Sequence, residues 1–268
     1  MSAGAGVSAA VATWLALAPG VWAQAPAPGS TPSALTVFAA ASLADAFQEL
    51  ARGLEGEHPG LRVHFNFAGS QQLAVQLEQG ARADLLASAD RRWMAYAEGR
   101  GLVAGEPQLF ARNRLVVILP RGNPAQIGRL EDLTRRGVKL VVAAEAVPAG
   151  RYSREALRNL AGAPGFPPHY ARRVLANVVS EEENVRSVVA KVQLGEADAG
   201  MVYRSDVNRS AAPHLRVLDI PDEFNVLASY PVAVLEEARN PNAARAFIRL
   251  LLSPAGQRVL QRHGLLPR

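Results

Sequence analysis

Two serines, each placed directly after an apolar strand-like segment, are the residues of this chain whose position best suits chemistry. Ser42 follows residues 36–41 (TVFAAA), and Ser70 follows residues 65–69 (FNFAG). The apolar spacing after each serine predicts a helix, so each stands where a helix N-cap belongs. A helix N-terminus presents free N–H groups and the positive end of the helix dipole, and it therefore attracts anions. Two such termini on neighbouring βα units predict a pocket for one small anion.

Residue types that would support other chemistry are missing or scattered. The chain has no cysteine, which excludes disulfides, thiolate metal sites and cysteine nucleophiles. Its five histidines are far apart, with none at metal-ligand spacing. No P-loop, dinucleotide fingerprint, zinc-protease motif or nucleophile elbow is present. An enzyme is therefore the minority hypothesis, although sequence order alone leaves a Ser-His-Asp arrangement open.

Composition indicates a globular chain with enough apolar material for a substantial core. The 268 residues are 49% apolar and 20% charged, which allows one large domain or two of ordinary size. The formal net charge of +5 raises the possibility of a nucleic-acid partner. The basic residues are nearly all arginine and are scattered in short pairs without interleaved aromatics. We therefore predict no nucleic-acid binding.

The N-terminal segment is predicted to be a targeting signal. Residues 7–23 are apolar and end in Val-Trp-Ala, which predicts a cleaved secretory signal peptide over residues 1–23. The apolar run is short for a membrane span, and a Pro-Gly pair interrupts it. No basic residue precedes Arg52, so either the true start lies upstream or the α-amino group supplies the charge. Residues 24–34 are predicted to be a flexible lead-in, and the expected destination is the periplasm.

Alternating strand and helix patterns fill the remainder of the chain. Apolar periodicity predicts helices after Ser42 and Ser70, and residues 180–183 (SEEE) match a capping box before a further helix. The repeated βα alternation predicts doubly wound parallel sheets, with ligands at the carboxyl ends of the strands. Continuous apolar runs at two of the strands are typical of buried parallel strands. Besides the strand before Ser42, the predicted strands lie near residues 61–67, 115–119, 139–143, 199–203, 215–220 and 229–235.

From residue 36 onward the chain resembles the periplasmic molybdate-binding proteins of bacterial ABC transporters. The two serine segments alone would be weak evidence, but VPAG, ENVR and GMVYRSD in the family's order make the resemblance specific. The matching segments are VFAAASLADAF (37–47), FAGSQQLAVQL (67–77), GARADLLASADRRWM (80–94), AVPAGRYSREAL (146–157), ENVRSVVAKV (183–192), GMVYRSD (200–206) and YPVAV (230–234). The resemblance implies an α/β fold of the two-lobe periplasmic-binding-protein type. Its doubly wound sheets are joined by two crossover segments, and the lobes close on the oxyanion.

The resemblance also implies a role for five residues. Ser42 and Ser70 match serines that bind the anion through the hydroxyl and the backbone N–H group. Ala149 and Val185 match positions that donate backbone N–H groups, and this assignment depends wholly on the resemblance. Tyr203 matches a tyrosine whose hydroxyl completes the site. From the residues alone, both serines could be plain N-caps and the tyrosine a core aromatic.

Lobe boundaries and function follow from the same resemblance. Lobe 1 is predicted to comprise residues 35–112 and 229–268, and lobe 2 residues 113–228, with hinges where the chain crosses near Asn113 and Ala228. The implied function is capture of molybdate or tungstate and delivery to the membrane permease of an ABC transporter, by a monomer without cofactors or catalysis. Binding of sulfate or another tetrahedral oxyanion, and an enzyme on the same two-lobe scaffold, remain the alternatives.

The chemistry of molybdate agrees with a site made of donors. Molybdate is a fully deprotonated dianion at neutral pH, so it only accepts hydrogen bonds. A phosphate site must in addition accept a hydrogen bond from the ligand's own proton. Neutral donors can hold a buried anion because charge-assisted hydrogen bonds contribute roughly 1.5–3 kcal/mol each. A pocket of fixed donors would also select by size, favouring molybdate and tungstate over sulfate.

Overall fold

Strands and helices are described for residues 33–268 in a computed structural model, which otherwise describes only Met1. The predicted signal peptide and nearly all of the predicted lead-in lie outside the described residues. Within the described part of the chain, no helix combines the length and the apolar character needed to span a bilayer.

The described residues form ten strands and eight α-helices. The strands are β1 (Ser33–Ala40), β2 (Leu61–Ala68), β3 (Leu85–Ala87), β4 (Val103–Asn113), β5 (Leu115–Pro120), β6 (Leu140–Ala143), β7 (Val178–Glu182), β8 (Ala199–Tyr203), β9 (Leu215–Asp219) and β10 (Ala228–Leu235). The helices are α1 (Ala44–Glu57), α2 (Ser70–Glu78), α3 (Arg91–Gly99), α4 (Pro148–Ala161), α5 (Tyr170–Leu175), α6 (Val185–Gln193), α7 (Pro241–Leu252) and α8 (Pro254–Arg262).

The strands form two five-stranded sheets with the same internal plan. Their orders are β2-β1-β3-β10-β4 and β7-β6-β8-β5-β9. In each sheet the first three strands are parallel and the fourth is reversed. The reversed strands, β10 and β5, are the ones by which the chain enters each sheet from the other. We call the part built on the first sheet lobe 1 and the part built on the second sheet lobe 2.

The predicted parallel pairing therefore holds for the first three strands of each sheet and not for the reversed strands β10 and β5. The apolar run at residues 115–119 becomes β5, which pairs antiparallel with both β8 and β9. All five of these residues are buried because the strand has a neighbour on each side and α4 and α6 pack against it. A continuous apolar run reports burial on both faces of a strand and not its direction.

The two chain crossings between the lobes lie side by side. β4 ends at Asn113, β5 begins two residues later at Leu115, and Asn113 pairs with Ala228 at the start of β10. The Asn225 side chain, in the segment that leads to β10, accepts from Leu115 N at 3.1 Å and donates to Leu115 O at 2.9 Å. The crossings are thus bonded to each other, and a rotation of the lobes would bend both together.

Packing in each lobe fixes the helices whose first turns face the other lobe. In lobe 1 the buried Phe47 of α1 contacts Phe65, Phe110 and Phe247, with ring centroids 6.3, 5.7 and 5.2 Å away. In lobe 2 α6 packs closely on β8 at Gly200. A Cβ there would lie 2.9 Å from side-chain atoms of two valines of α6.

Two local predictions differ from the structure. β1 begins at Ser33, within the predicted lead-in, because its backbone pairs in register with Leu61 and the residues after it. The predicted capping box at residues 180–183 is wrong, since most of it belongs to β7 and pairs with β6. The N-cap of α6 is instead Asn184, whose side chain accepts from Arg186 N at 3.0 Å and Ser187 N at 3.1 Å.

Candidate functional site

A small cavity lies between the two lobes at the carboxyl ends of the strands. Lobe 1 contributes the residues that follow β1, β2 and β3, and lobe 2 those that follow β6 and β7 together with the end of β8. Ligands of open α/β sheets bind at this edge. Among the described residues, none that lines the cavity is charged. The lining residues are Ala40, Ala41, Ser42, Ala68, Gly69, Ser70, Ala89, Val147, Pro148, Ala149, Asn184, Val185 and Tyr203, which include all five sequence-predicted site residues.

Ser42 does not cap a helix, so its predicted N-cap position is wrong. It lies inside a 3-10 turn (Ala41–Leu43), and the N-cap of α1 is Leu43, which makes no side-chain capping bond. The Ser42 hydroxyl is instead 3.0 Å from the buried hydroxyl of Tyr230. The turn connects the end of β1 directly to the start of α1. It aims the serine at the cavity, and only 7% of the residue is exposed.

Ser70 is likewise not an N-cap, because it is the first residue of α2 and Gly69 precedes it as the cap. Its Oγ accepts a hydrogen bond from Ala89 N at 3.0 Å, and the residue is 1% exposed. An N–H group can only donate, so this bond occupies a lone pair of Ser70 and leaves its proton available. The interpretation of the serines as plain caps is thus wrong for both, and their hydroxyls are not used to satisfy their own helices.

Tyr203 presents a hydroxyl that has no partner in the described part of the chain. The residue ends β8 and is 1% exposed, and its hydroxyl oxygen is buried with no hydrogen bond to the described residues. Burial raises the pKa of Tyr203 well above its ordinary value, with the neighbouring Tyr230 adding to the effect. The hydroxyl is therefore protonated at neutral pH. A buried unpaired hydroxyl costs about 1–3 kcal/mol, which a ligand oxygen could offset by accepting its hydrogen bond.

Ala149 and Val185 present backbone N–H groups at helix starts. In α4 the first intrahelical bond runs from Arg151 N to Val147 O at 3.0 Å, so Ala149 N–H lies ahead of the helical ladder. In α6 the Asn184 side chain accepts from the second and third N–H groups and not from that of Val185. Each helix thus has, in a residue that lines the cavity, one early N–H group outside its own ladder and cap.

Two glycines allow the backbone to approach closely around the cavity. A Cβ at Gly150 would lie 2.0 Å from Ala144 O, so only glycine lets the first turn of α4 sit against the end of β6. A Cβ at Gly69 would lie 2.5 Å from Glu183 O of the opposite lobe. Gly69 has φ −64°, which any residue adopts, so its small size serves the contact between lobes and not the local backbone.

Polar contacts between the lobes surround the cavity. Asp45 of lobe 1 accepts from Arg186 Nη2 and Asn208 Nδ2 of lobe 2, both at 2.6 Å. Asp90, which is 0% exposed and caps α3, lies 3.3 Å from Arg151 Nη2. Sequence reasoning missed these residues, because the partners are at least 61 positions apart and no local pattern relates them.

A buried carboxyl group lies behind the cavity. Asp206 Oδ2 accepts from Tyr203 N at 2.9 Å and the residue is 6% exposed. Burial raises the pKa of Asp206 to about 7, while the bond from Tyr203 N opposes the shift. A proton on this carboxyl removes a negative charge from the surroundings of the site.

The arrangement as a whole can hold a small anion without a charged partner. The five residues that carry three hydroxyls and two early helix N–H groups line the cavity from both lobes, and α2, α4 and α6 begin there, with the positive ends of their dipoles. The cavity has a volume of about 10 Å³, which is room for about one water-sized group and far less than an organic ligand needs. Its size and its donors therefore favour an inorganic oxyanion.

Comparison with known proteins assigns this chain to a family. Residues 35–266 match the family model described as bacterial extracellular solute-binding protein. The molybdate-binding protein ModA of Mycobacterium tuberculosis (strain H37Rv) is 40% identical over 230 residues, which cover 86% of this chain and 83% of that protein.

Solved structures confirm the predicted two-lobe α/β fold. The periplasmic molybdate-binding protein of Azotobacter vinelandii superposes with a TM-score of 0.74 at 17% identity, covering 87% of this chain and all of that chain. The sulfate-binding protein SubI of Mycobacterium tuberculosis gives 0.78 at 16% identity, covering 88% and 87%. At these identities the likeness concerns the fold alone.

Proposed function

We propose that this chain, which belongs to the family of bacterial extracellular solute-binding proteins, captures molybdate between its two lobes and delivers it to the permease of an ABC transporter. The observation that carries the proposal is the cavity between the lobes, where uncharged hydrogen-bond donors converge without a charged side chain. The 40% identity to a molybdate-binding protein supports the same ligand.

The five predicted site residues bind the ion from both lobes. Ser42 and Ser70 of lobe 1 bind through their hydroxyl and N–H groups. Ala149 and Val185 of lobe 2 donate N–H groups to the ion, and Tyr203 donates its hydroxyl. The unpartnered state of that hydroxyl supports this role, because a buried donor gains most from a ligand acceptor.

Closure of the lobes follows from a site shared in this way. We assign residues 35–112 and 229–268 to lobe 1 and residues 113–228 to lobe 2, with the adjacent crossings at Asn113 and Ala228 as hinges. An ion that contacts both lobes stabilises the closed state more than the open one, which is the requirement for ligand-driven closure. The contacts of Asp45 and Asp90 with lobe 2 then hold the closed state around the ion.

Selectivity among tetrahedral oxyanions would arise from the fixed spacing of the donors. Tungstate, with the same charge and a similar size, binds comparably to molybdate. Sulfate is smaller and cannot reach donors of both lobes at once, so it binds far more weakly. Sulfate as the primary ligand is the alternative that titration distinguishes.

The protein carries out this function in the periplasm. Residues 1–23 act as a cleaved export signal, and the mature protein works as a monomer without cofactor, nucleic acid or catalysis. Family membership supports an extracytoplasmic location. The closed lobes present one composite surface to the permease.

Isothermal titration of the mature chain with molybdate, tungstate, sulfate and phosphate tests the proposal. We expect one molybdate per molecule, comparable tungstate affinity and sulfate affinity lower by at least about two orders of magnitude. A site that takes sulfate as tightly as molybdate would refute the ligand assignment, and the absence of heat with every oxyanion would refute the function.

A further inference from the structure

A buried chain of hydrogen bonds connects Ser42 to both crossings between the lobes. Ser42 Oγ is 3.0 Å from the hydroxyl of Tyr230, near the start of β10. Asn113, the last residue of β4, places Nδ2 3.3 Å from the same hydroxyl and 2.8 Å from Ser205 Oγ of lobe 2. All four side chains belong to buried residues.

The direction of this chain is fixed at its Asn113 end. Asn113 Oδ1 accepts from Arg114 N at 3.0 Å, so the amide NH₂ group must face Tyr230 and Ser205. An amide nitrogen only donates, and the Tyr230 oxygen is therefore an acceptor at that contact. Burial raises the pKa of Tyr230 far above its ordinary value, which keeps the proton on the hydroxyl. Of the two contacts of this hydroxyl, only Ser42 Oγ can accept the proton, because Asn113 Nδ2 is a donor.

The direction of this chain determines which hydrogen bond the Ser42 hydroxyl can donate. Since Ser42 Oγ accepts from Tyr230, its own proton is directed away from the tyrosine and toward the cavity. The Ser70 hydroxyl likewise accepts a bond from the protein and keeps its own proton to donate, because the Ala89 N–H group donates to it. Both serines are thus held as donors to the ligand, one by a backbone group and the other by a side chain that substitution can remove.

We propose that Tyr230, oriented by Asn113, is a specificity-determining positioning residue that favours Ser42 as a hydrogen-bond donor to the ligand and so disfavours oxyanions that carry a proton. This inference rests on the proposed function, because it concerns the oxyanion bound at the same cavity. A protonated oxyanion needs an acceptor in the site, and Ser42 Oγ is a poorer one while Tyr230 occupies one of its two lone pairs. Without the tyrosine hydroxyl, Ser42 can rotate and accept the ligand's proton.

The test compares Tyr230→Phe with the matched variant Tyr170→Phe. Tyr170 is equally buried and donates to Leu130 O at 2.8 Å in lobe 2, so its variant also loses one buried hydrogen bond. Molybdate affinity is measured by titration, and sulfate and phosphate are then used to displace bound molybdate at mildly alkaline pH. There sulfate carries no proton and phosphate carries one, while their sizes are similar.

We expect Tyr230→Phe to weaken molybdate binding roughly threefold to tenfold. In the same variant, phosphate should gain at least about threefold over sulfate as a competitor, while Tyr170→Phe changes neither quantity. A Tyr230→Phe protein in which phosphate competes no better relative to sulfate than in the wild type would overturn the inference. Failure of the wild type to bind molybdate would refute the proposed function instead, so the two failures are distinguishable.

Discussion

Replacing Tyr203 by phenylalanine separates a ligand-binding hydroxyl from a structural one. The Tyr203 hydroxyl is buried and makes no hydrogen bond within residues 33–268, so its removal breaks no bond in that part of the chain. We expect the free energy of unfolding without ligand to stay within about 0.5 kcal/mol of the wild type or to rise, because no buried group is left unpaired. Molybdate affinity should fall at least about tenfold, since a charge-assisted hydrogen bond contributes roughly 1.5–3 kcal/mol.

Tyr170→Phe is the matched control with the opposite expected pattern. It deletes a hydroxyl that donates to Leu130 O at 2.8 Å, and it leaves that buried carbonyl unpaired. Unfolding should become easier by about 1–3 kcal/mol, with molybdate affinity unchanged. Urea denaturation without ligand gives the stabilities, and isothermal titration gives the affinities.

One result with Tyr203→Phe and Tyr170→Phe would refute the role of the Tyr203 hydroxyl in binding. If Tyr203→Phe loses stability as Tyr170→Phe does and keeps wild-type affinity, the Tyr203 hydroxyl is bonded inside the protein and does not bind the ion. Titration of both variants in one buffer excludes a difference in solution conditions.

Four further substitutions test other parts of the site. Ser42→Ala and Ser70→Ala should each weaken molybdate binding at least about tenfold by titration, and wild-type affinity in both would remove the serines from the site. Gly69→Ala places a Cβ 2.5 Å from lobe 2 backbone and should prevent full closure. Small-angle scattering should then show that molybdate lowers the radius of gyration of the wild type but not that of Gly69→Ala. The control is Gly53→Ala, whose Cβ would meet nothing within 4 Å and which should respond as the wild type does. An equal decrease in the radius of gyration of all three proteins would contradict the close packing of the lobes at Gly69. Burial raises the pKa of Asp206 from 3.8 to about 7, so the folded state binds the proton more tightly and stability should fall as pH rises between these values. Denaturation of Asp206→Asn should lack that fall, and an unchanged pH profile would contradict the buried carboxyl.

Much of the fold was predictable because strand and helix signals in this chain are local. The predicted strand at residues 199–203 is β8 with the same bounds, and the predicted strand at residues 229–235 differs from β10 by one residue. The gathering of Ser42 and Ser70 at one cavity was also predictable. Both follow parallel neighbouring strands, whose carboxyl ends meet at one edge of a sheet.

Capping was less predictable because it is decided by contacts that a local pattern does not contain. Both serines stand where a cap is usual, yet Ser42 bonds a tyrosine 188 positions away and Ser70 a backbone group 19 positions away. The capping-box match at residues 180–183 fails for a similar reason. Pairing with β6 draws those residues into a strand, and Asn184 takes over the cap.

The lobe 2 donors lay beyond any inference from residue type. Ala149 and Val185 contribute backbone N–H groups, which every residue except proline has, so only the family resemblance distinguished them. The reversal of β5 was hidden for another reason, since burial on both faces gives the same apolar run in either direction.

Crystals of the mature protein grown with molybdate test the central claim most directly. Anomalous difference density collected at the molybdenum absorption edge locates the metal without assumptions about the ligand. We predict one peak per molecule in the cavity between the lobes, with oxyanion oxygens about 2.5–3.2 Å from Ser42 Oγ, Ser70 Oγ and the Tyr203 hydroxyl. A peak elsewhere on the protein, or a cavity without molybdenum at saturating molybdate, would contradict the account.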